Sequence, residues 1–186
     1  VSPFPFKYFI MLGIVGVVGI ILMIASAPYR LARIVAFLNP FADPLGSGFQ
    51  IIQSLYAIAP GGILGVGFNN SVQKHFYLPE PQTDFIFAIF LEEFGLIGGI
   101  LLVSLYGYLF VTVFNQAIKV KDLFGSFLMI GIIAMIGIQT LINLGVVVGL
   151  FPVTGVTLPL MSYGGSSLTI TLIAVGIVLN ISKSMY

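Results

Sequence analysis

Long apolar runs without a single charged residue constrain this chain more than any other feature. Three of them cover residues 8–29, 94–118 and 123–148, and a shorter one covers residues 168–181. About 20 consecutive apolar residues cross the hydrocarbon core of a bilayer as a helix. The runs therefore predict an all-α fold, a polytopic transmembrane helical bundle with about four spanning helices. We treat residues 1–186 as a single membrane domain.

The composition supports a membrane protein and excludes several kinds of site. The chain is 59% hydrophobic and 7% charged, whereas a soluble domain carries about 25% charged residues. It has no cysteine and one histidine, which excludes disulfides, thiol chemistry and multi-histidine metal sites. A formal charge of +1 offers no field for nucleic acid. Because the chain begins at Val1 without a signal-peptide pattern, we expect it to be part of a longer protein.

Residues 27–83 predict a large external or re-entrant loop. Arg30 and Arg33 are three residues apart on one helix face, either as interfacial anchors or as a cationic patch for a phosphate. Residues 47–59 carry one polar stripe and one apolar stripe, which indicates an amphipathic helix in the interface plane. Residues 60–70 hold too many glycines for a spanning helix, so their backbone must be buried in protein or line a wet cavity.

Four of the six acidic residues lie between residues 79 and 93: Glu80, Asp84, Glu92 and Glu93. A carboxylate at membrane depth costs about 2.5–3.5 kcal/mol on insertion scales, and such residues are usually functional. With Thr83 as the N-cap, Asp84 falls in the first turn of a new helix, where the dipole favours an anion. Asp84 is therefore the leading functional candidate. The structural interpretation of Glu92 and Glu93 is that loop amides or the absent half of the protein satisfy them.

The helix that begins near Thr83 can run to about residue 117. At 1.5 Å per residue this exceeds a bilayer core of about 30 Å, so it should project from the membrane or break near Gly95, Gly98 and Gly99. In the following span, Gln139 and Asn143 are four residues apart and predict an interhelical hydrogen-bonding pair.

Residues 149–167 form a second predicted external loop, rich in glycine, proline and hydroxylated side chains. Its free amides and hydroxyls should line a cavity, and the last span should start within its G-G-S-S segment. Lys7, Lys119, Lys121 and Lys183 fall on one side of a four-span bundle, which makes that side cytoplasmic. Both loops and Asp84 are then expected on the outer side.

Three long segments resemble the SEDS family of bacterial shape, elongation, division and sporulation proteins. They are D-P-L-G-S-G-F-Q-I-I-Q-S-L-Y-A-I, Y-L-P-E-P-Q-T-D-F-I-F-A-I-F-L-E-E and P-V-T-G-V-T-L-P-L-M-S-Y-G-G-S-S. The segments Q-S-L-Y-A-I and N-S-V-Q-K-H-F-Y-L-P-E look closest to its FtsW and SpoVE branch. The similarity runs from about residue 29 to residue 183, and the chain resembles the C-terminal half of these ten-helix proteins.

The resemblance implies a peptidoglycan glycosyltransferase that polymerises lipid II in the bacterial plasma membrane. Its implied partners are a class B penicillin-binding protein, which is a transpeptidase, and other division proteins. The family's essential aspartate lies in its T-D-F-I-F-A motif and carries over to Asp84. Where some relatives have histidine, this chain has Gln82. The resemblance also implies Mg²⁺ or another divalent cation, and the chain alone is expected to be inactive.

The chemistry of this reaction suggests roles for further residues. A general base must take the proton of the attacking sugar hydroxyl, and the departing pyrophosphate needs positive charge. Asp84 is the base candidate, and Arg30, Arg33 and Lys74 are candidates for the leaving group. Substrate-binding candidates in the loops are Glu80, Ser162 and Ser166.

Two other functions remain open from the sequence. Intramembrane carboxylates and broken helices also occur in transporters, so a flippase of polyprenyl-linked precursors is the alternative. A non-catalytic scaffold is the third possibility, and it would not need Asp84. The acidic residues cluster at one face and the middles of the spans are uncharged, which favours chemistry at the interface.

Overall fold

The computed structural model describes residues 5–76 and 82–183, and within these ranges every regular element is a helix. Four of the helices described there are long and apolar enough to cross a membrane, which confirms the predicted number of spans. A 3₁₀ turn covers Pro40–Ala42. The α-helices are α1 (Phe6–Ala25), α2 (Pro28–Leu38), α3 (Phe49–Gly61), α4 (Gln73–Phe76), α5 (Ile86–Ala117), α6 (Leu123–Val147) and α7 (Gly165–Lys183).

The helices form a bundle centred on α5. Helix α5 packs against α3 on one side and α6 on the other, and α7 packs mainly on α6. The largest apolar core lies where the start of α5, the end of α6 and the loop between α6 and α7 meet, around Phe85, Val147 and Leu158. Helix α1 packs against α2 and is otherwise exposed. This core therefore fixes the segment that carries Asp84.

Helix α5 breaks at Gly95, one of the three glycines at which the sequence predicted a break. Gly95 has φ 63° and ψ −166°, which interrupts the helical ladder. Four of the backbone groups released there are bonded by the glycine-rich loop at residues 62–67, which offsets the cost of interrupting the helix. The bonds run from Val66 N to Glu92 O, from Gly67 N to Glu93 O, from Leu96 N to Gly62 O and from Ile97 N to Ile63 O, at 2.9–3.2 Å.

The loop and the break approach each other too closely for side chains. A Cβ atom on Gly65 would lie 2.1 Å from the Glu93 carbonyl oxygen, and one on Gly95 would lie 2.4 Å from the Gly65 nitrogen. Both glycines also have positive φ values. The glycines of residues 60–70 therefore allow backbone to pair with backbone, but burial of the whole segment is not observed, because most of its residues remain exposed.

Helix α3 is present where the sequence predicted it, but it turns its polar stripe inward. A helix lying in the interface plane would expose that stripe to water, whereas Ser54 and Ala57 are buried and Leu55 and Tyr56 are exposed. The Ser54 hydroxyl donates to the Val147 carbonyl at 2.7 Å. The small residues allow α3 to pack closely on α5 and α6, and the face prediction was wrong for this reason.

The ends of the last two spans fall close to their predicted positions. Helix α7 begins at Gly165, within the G-G-S-S segment.

The prediction that Thr83 is the N-cap of α5 was wrong, because the helix begins at Ile86 and its N-cap is Phe85. Asp84 therefore immediately precedes the N-cap, instead of occupying the first turn.

Candidate active site

Asp84 lies at the junction of three segments. It is half-buried, in the turn that leads into α5, and the buried Phe85 ring anchors the next residue in the core. A Cβ atom on Gly155 would lie 3.6 Å from Asp84 Oδ2, so the carboxylate faces the loop between α6 and α7. Gly155 has φ 75°, a conformation that favours glycine, and its missing side chain leaves space beside the carboxylate.

The loop at residues 148–164, called the motif loop below, is held by side chains from several helices. Each of these side chains donates to a backbone carbonyl of the loop, and a backbone bond from Tyr163 N to Gln82 O (2.8 Å) ties the loop to the segment before Asp84. A loop fixed at so many points can hold the carboxylate in one geometry. The side-chain bonds are Arg33 to Val153 (3.1 Å), Asn143 to Val156 (2.7 Å), Gln139 to Thr157 (3.0 Å) and Tyr106 to Pro159.

Asn143 connects this loop directly to the aspartate. Its Nδ2 donates at 2.7 Å to the Asp84 carbonyl and at 2.7 Å to the Val156 carbonyl, and the residue is 1% exposed. Sequence analysis predicted that Gln139 and Asn143 bond between helices, but both bind motif-loop carbonyls. Their spacing of four residues shows that they share one face of α6, but it does not show which groups they bind.

The two arginines of α2 point to different partners. Arg30 Nη1 donates to the Met23 carbonyl at 2.5 Å and Nε donates to the Tyr29 hydroxyl at 2.9 Å. Met23 lies in the last turn of α1, where the carbonyls lack helical partners and a cation is favourable. Arg33 instead reaches the motif loop at Val153. The structure therefore does not bring them together as one cationic patch, and Arg30 has the contacts of an anchor.

Arg33 lines an open cavity of about 320 Å³ together with Ser47, Gln50 and Val153. The wall beyond it is a tight turn in which the Ser47 backbone N–H and hydroxyl donate to Asp43 Oδ2 at 2.8 and 3.2 Å. The Ser47 backbone bond, followed by its hydroxyl bond, holds the pKa of Asp43 below its ordinary value. This cavity places a guanidinium, a hydroxyl and an amide beside the loop that also meets Asp84.

Glu92 and Glu93 both lie within α5 and are buried. Glu92 is buried and accepts from the Ser71 hydroxyl at 2.5 Å and from the Val72 N–H at 3.0 Å. The structure therefore confirms, for Glu92, the interpretation that hydrogen bonds from a loop satisfy its carboxylate. Lys74 Nζ lies 3.8 Å from Glu93 Oε1 and donates to Asn69 Oδ1 at 2.9 Å. Lys74 thus faces Glu93, and no contact in the described part of the chain joins it to Arg33.

The remaining binding candidates have separate positions. Ser162 is buried, and its hydroxyl accepts from the Leu158 N–H at 2.7 Å, which closes a turn of the motif loop. Ser166 is exposed at the start of α7, and the neighbouring Ser167 hydroxyl bonds Thr157 Oγ1 at 2.8 Å. Glu80 lies outside the described residues. Across residues 5–76 and 82–183, no three histidine, aspartate or glutamate side chains assemble to hold a metal.

Comparisons with known proteins give one consistent result. A family model described as "cell cycle protein", covering FtsW, RodA and SpoVE, matches residues 1–186. Stage V sporulation protein E of Bacillus subtilis is 58% identical over 176 residues, which are 95% of this chain and 48% of that protein. A probable peptidoglycan glycosyltransferase FtsW of Saccharophagus degradans is 46% identical, over 92% of this chain and 45% of its own length. The chain spans about half the length of these relatives.

Solved structures agree with the sequence comparison. A chain in the structure of a peptidoglycan synthase complex, described as coordinating polymerization and crosslinking, is 39% identical with a TM-score of 0.66. It covers 93% of this chain, which corresponds to 49% of that chain. The rod shape determining protein RodA of Thermus thermophilus, crystallised as a mutant, is 30% identical with a TM-score of 0.57, over 84% of this chain and 54% of that chain.

Proposed function

The chain belongs to the FtsW, RodA and SpoVE family of cell cycle proteins, and we propose that it provides the catalytic aspartate of a peptidoglycan glycosyltransferase that polymerises lipid II. The observation that carries the proposal is the setting of Asp84, a half-buried carboxylate fixed between the start of α5 and the motif loop. The relatives named as peptidoglycan glycosyltransferases support the reaction class.

Asp84 acts as the general base in this proposal. A sugar hydroxyl of one substrate attacks the anomeric carbon of the other, and its proton passes to the Asp84 carboxylate. A new glycosidic C–O bond forms while the bond from the anomeric carbon to the pyrophosphate oxygen breaks, and the pyrophosphate leaves with the electron pair. A pyrophosphate needs no proton to depart, so one carboxylate suffices, in contrast to the pair used in glycoside hydrolysis.

Arg33 is the better placed of the two arginines for the departing pyrophosphate. A guanidinium carries five N–H donors, and one bond to Val153 leaves others for a ligand in the adjoining cavity. Both Arg33 and Asp84 meet the motif loop, at positions two residues apart. A divalent cation stays a prediction, and Asp84 would be the carboxylate nearest the substrate phosphates, since Mg²⁺ is commonly held by one or two carboxylates together with such phosphates.

We expect Arg33→Ala to slow lipid II polymerisation by about tenfold, the effect of losing one charged hydrogen bond. Arg33→Lys should restore only part of the rate, because the planar fork is lost. Arg30→Ala is the matched control and should stay near the wild-type rate, because its guanidinium already binds the end of α1. Polymerisation by the purified full-length protein measures all three, and a normal rate for Arg33→Ala would return Arg33 to the role of an anchor.

We further propose that Asp84 works on the extracytoplasmic side of the bacterial plasma membrane, with a class B penicillin-binding protein as partner. The lysines at the opposite ends of the spans support this orientation, since positive residues stay cytoplasmic. The neighbour from a peptidoglycan synthase complex supports a transpeptidase partner. We also expect the protein to contact membrane lipids and other division proteins.

Single cysteines can test this orientation cleanly, because the chain has none of its own. A cysteine at Asn70, which is exposed in the loop before α4, should react with an impermeant thiol reagent in intact cells. A cysteine at the exposed Lys121, between α5 and α6, should react only after the cells are opened. The reverse pattern would place the Asp84 side in the cytoplasm and contradict the proposal.

A further inference from the structure

A second cavity, with charged groups in a largely apolar wall, lies beside the first turns of α5. It encloses about 360 Å³ between the first turns of α5, the loop before α4 and the motif loop. Its polar groups are Lys74, Gln82 and Glu93, and two phenylalanine rings, Phe90 and Phe94, form part of its wall. These rings are stacked with centroids 4.7 Å apart. The cavity therefore combines a flat apolar wall with both charges and a neutral amide.

Glu93 lines this cavity with a carboxylate oxygen that lacks a hydrogen-bond donor among the described residues. The residue is 6% exposed, yet its Oε1 has no hydrogen-bond donor among the described residues. The Lys74 ammonium lies 3.8 Å away, beyond the usual 2.7–3.2 Å of an N–H···O bond. Buried carboxylates are nearly always hydrogen-bonded, because an unsatisfied buried charge is costly. The oxygen is thus ready to accept from a ligand.

The neighbouring Glu92 shows what a purely structural carboxylate looks like in this protein. It is equally buried, but both of its oxygens accept from the loop, one from the Ser71 hydroxyl and one from the Val72 N–H. Two adjacent buried acids thus differ, since Glu92 is satisfied by hydrogen bonds of the fold and Glu93 faces a cavity. The contrast indicates that Glu93 is held for a ligand.

We propose that this cavity binds one sugar of the lipid-linked substrate, through hydrogen bonds from its hydroxyl or amide N–H groups to Glu93. Lys74 and Gln82 can donate to the oxygens of the same sugar, and the phenylalanine wall suits its apolar face. Gln82, which also lines the cavity, lies two positions before Asp84, so a sugar bound there belongs to the same substrate site as the proposed base. This inference rests on the proposed polymerase function.

The test compares Glu93→Gln with the matched variant Glu92→Gln in the full-length protein. Glu93→Gln should raise the KM for lipid II by about tenfold at nearly unchanged kcat, the loss expected for a hydrogen bond to a charged group. It should leave the thermal stability equal or higher, because a buried unsatisfied charge is removed. Glu92→Gln should do the opposite, with a lower Tm and an unchanged KM.

Four further outcomes decide between explanations. Polyprenyl pyrophosphate without sugars should bind Glu93→Gln and wild type equally, and a difference there would assign the cavity to the lipid phosphate instead. Gln82→Ala, at the exposed rim, should also raise KM even if Glu93→Gln fails to fold. An unchanged KM in a folded Glu93→Gln or in Gln82→Ala would overturn the inference. A wild-type protein that makes no glycan would instead refute the proposed function.

Discussion

Asp84→Asn is expected to lower the rate of lipid II polymerisation by about 10²–10⁴-fold, the usual effect of losing a general base. Asparagine preserves the shape of the side chain and removes only its ability to take a proton. The Asn143 bond to residue 84 uses the backbone carbonyl and should persist in the variant. Full-length protein should therefore fold, enter the membrane and bind lipid II with near-normal affinity.

Asp84→Glu separates a positioned base from a general need for negative charge. The longer side chain keeps the carboxylate and moves it by one methylene, and misplacement of about 1 Å can cost about 10²-fold. We expect little recovery of activity. Full recovery would indicate that the charge matters and its position does not, which disagrees with the fixed setting beside the motif loop.

Asn143→Ala is expected to have the second largest effect, about 10²-fold on kcat. The substitution removes the donor shared by the Asp84 and Val156 carbonyls, so the two segments lose the bond that sets their spacing. Stability should also fall, since each hydrogen bond lost between the segments contributes about 0.5–1.5 kcal/mol. The KM for lipid II should change little, because Asn143 acts through the position of Asp84.

A double variant checks that Asn143 acts through Asp84. Residues that work as one unit are strongly non-additive, so Asp84→Asn combined with Asn143→Ala should be no slower than Asp84→Asn alone. Gln139→Ala is the matched control, because it loses a bond to the same loop at Thr157 without touching Asp84. Multiplying effects in the double variant, or an equal kcat loss for Gln139→Ala, would reduce Asn143 to a stability role.

Local features of the fold could be predicted from the sequence. Apolar runs alone determine where spans lie, and the four helices fall where those runs are. The break at Gly95 and the start of α7 at Gly165 follow from glycine chemistry within a few residues. Asp84 was identified as a leading candidate because a carboxylate is expensive in so apolar a chain.

Pairings between distant segments could not be predicted. The bonds between the 62–67 loop and the break in α5 join residues about 30 positions apart, and no local pattern encodes them. The burial of Ser54 was missed because a small polar residue suits either water or a close helix contact with a free carbonyl. Arg30 and Arg33 share a helix face, yet their long side chains reach different partners.

The most direct test measures bound lipid II and glycan product in the same sample of purified full-length protein. The wild type should convert bound lipid II into glycan strands, while Asp84→Asn should hold the same amount of lipid II and form almost no product. Near-normal glycan from Asp84→Asn would contradict the assignment of Asp84 as the general base.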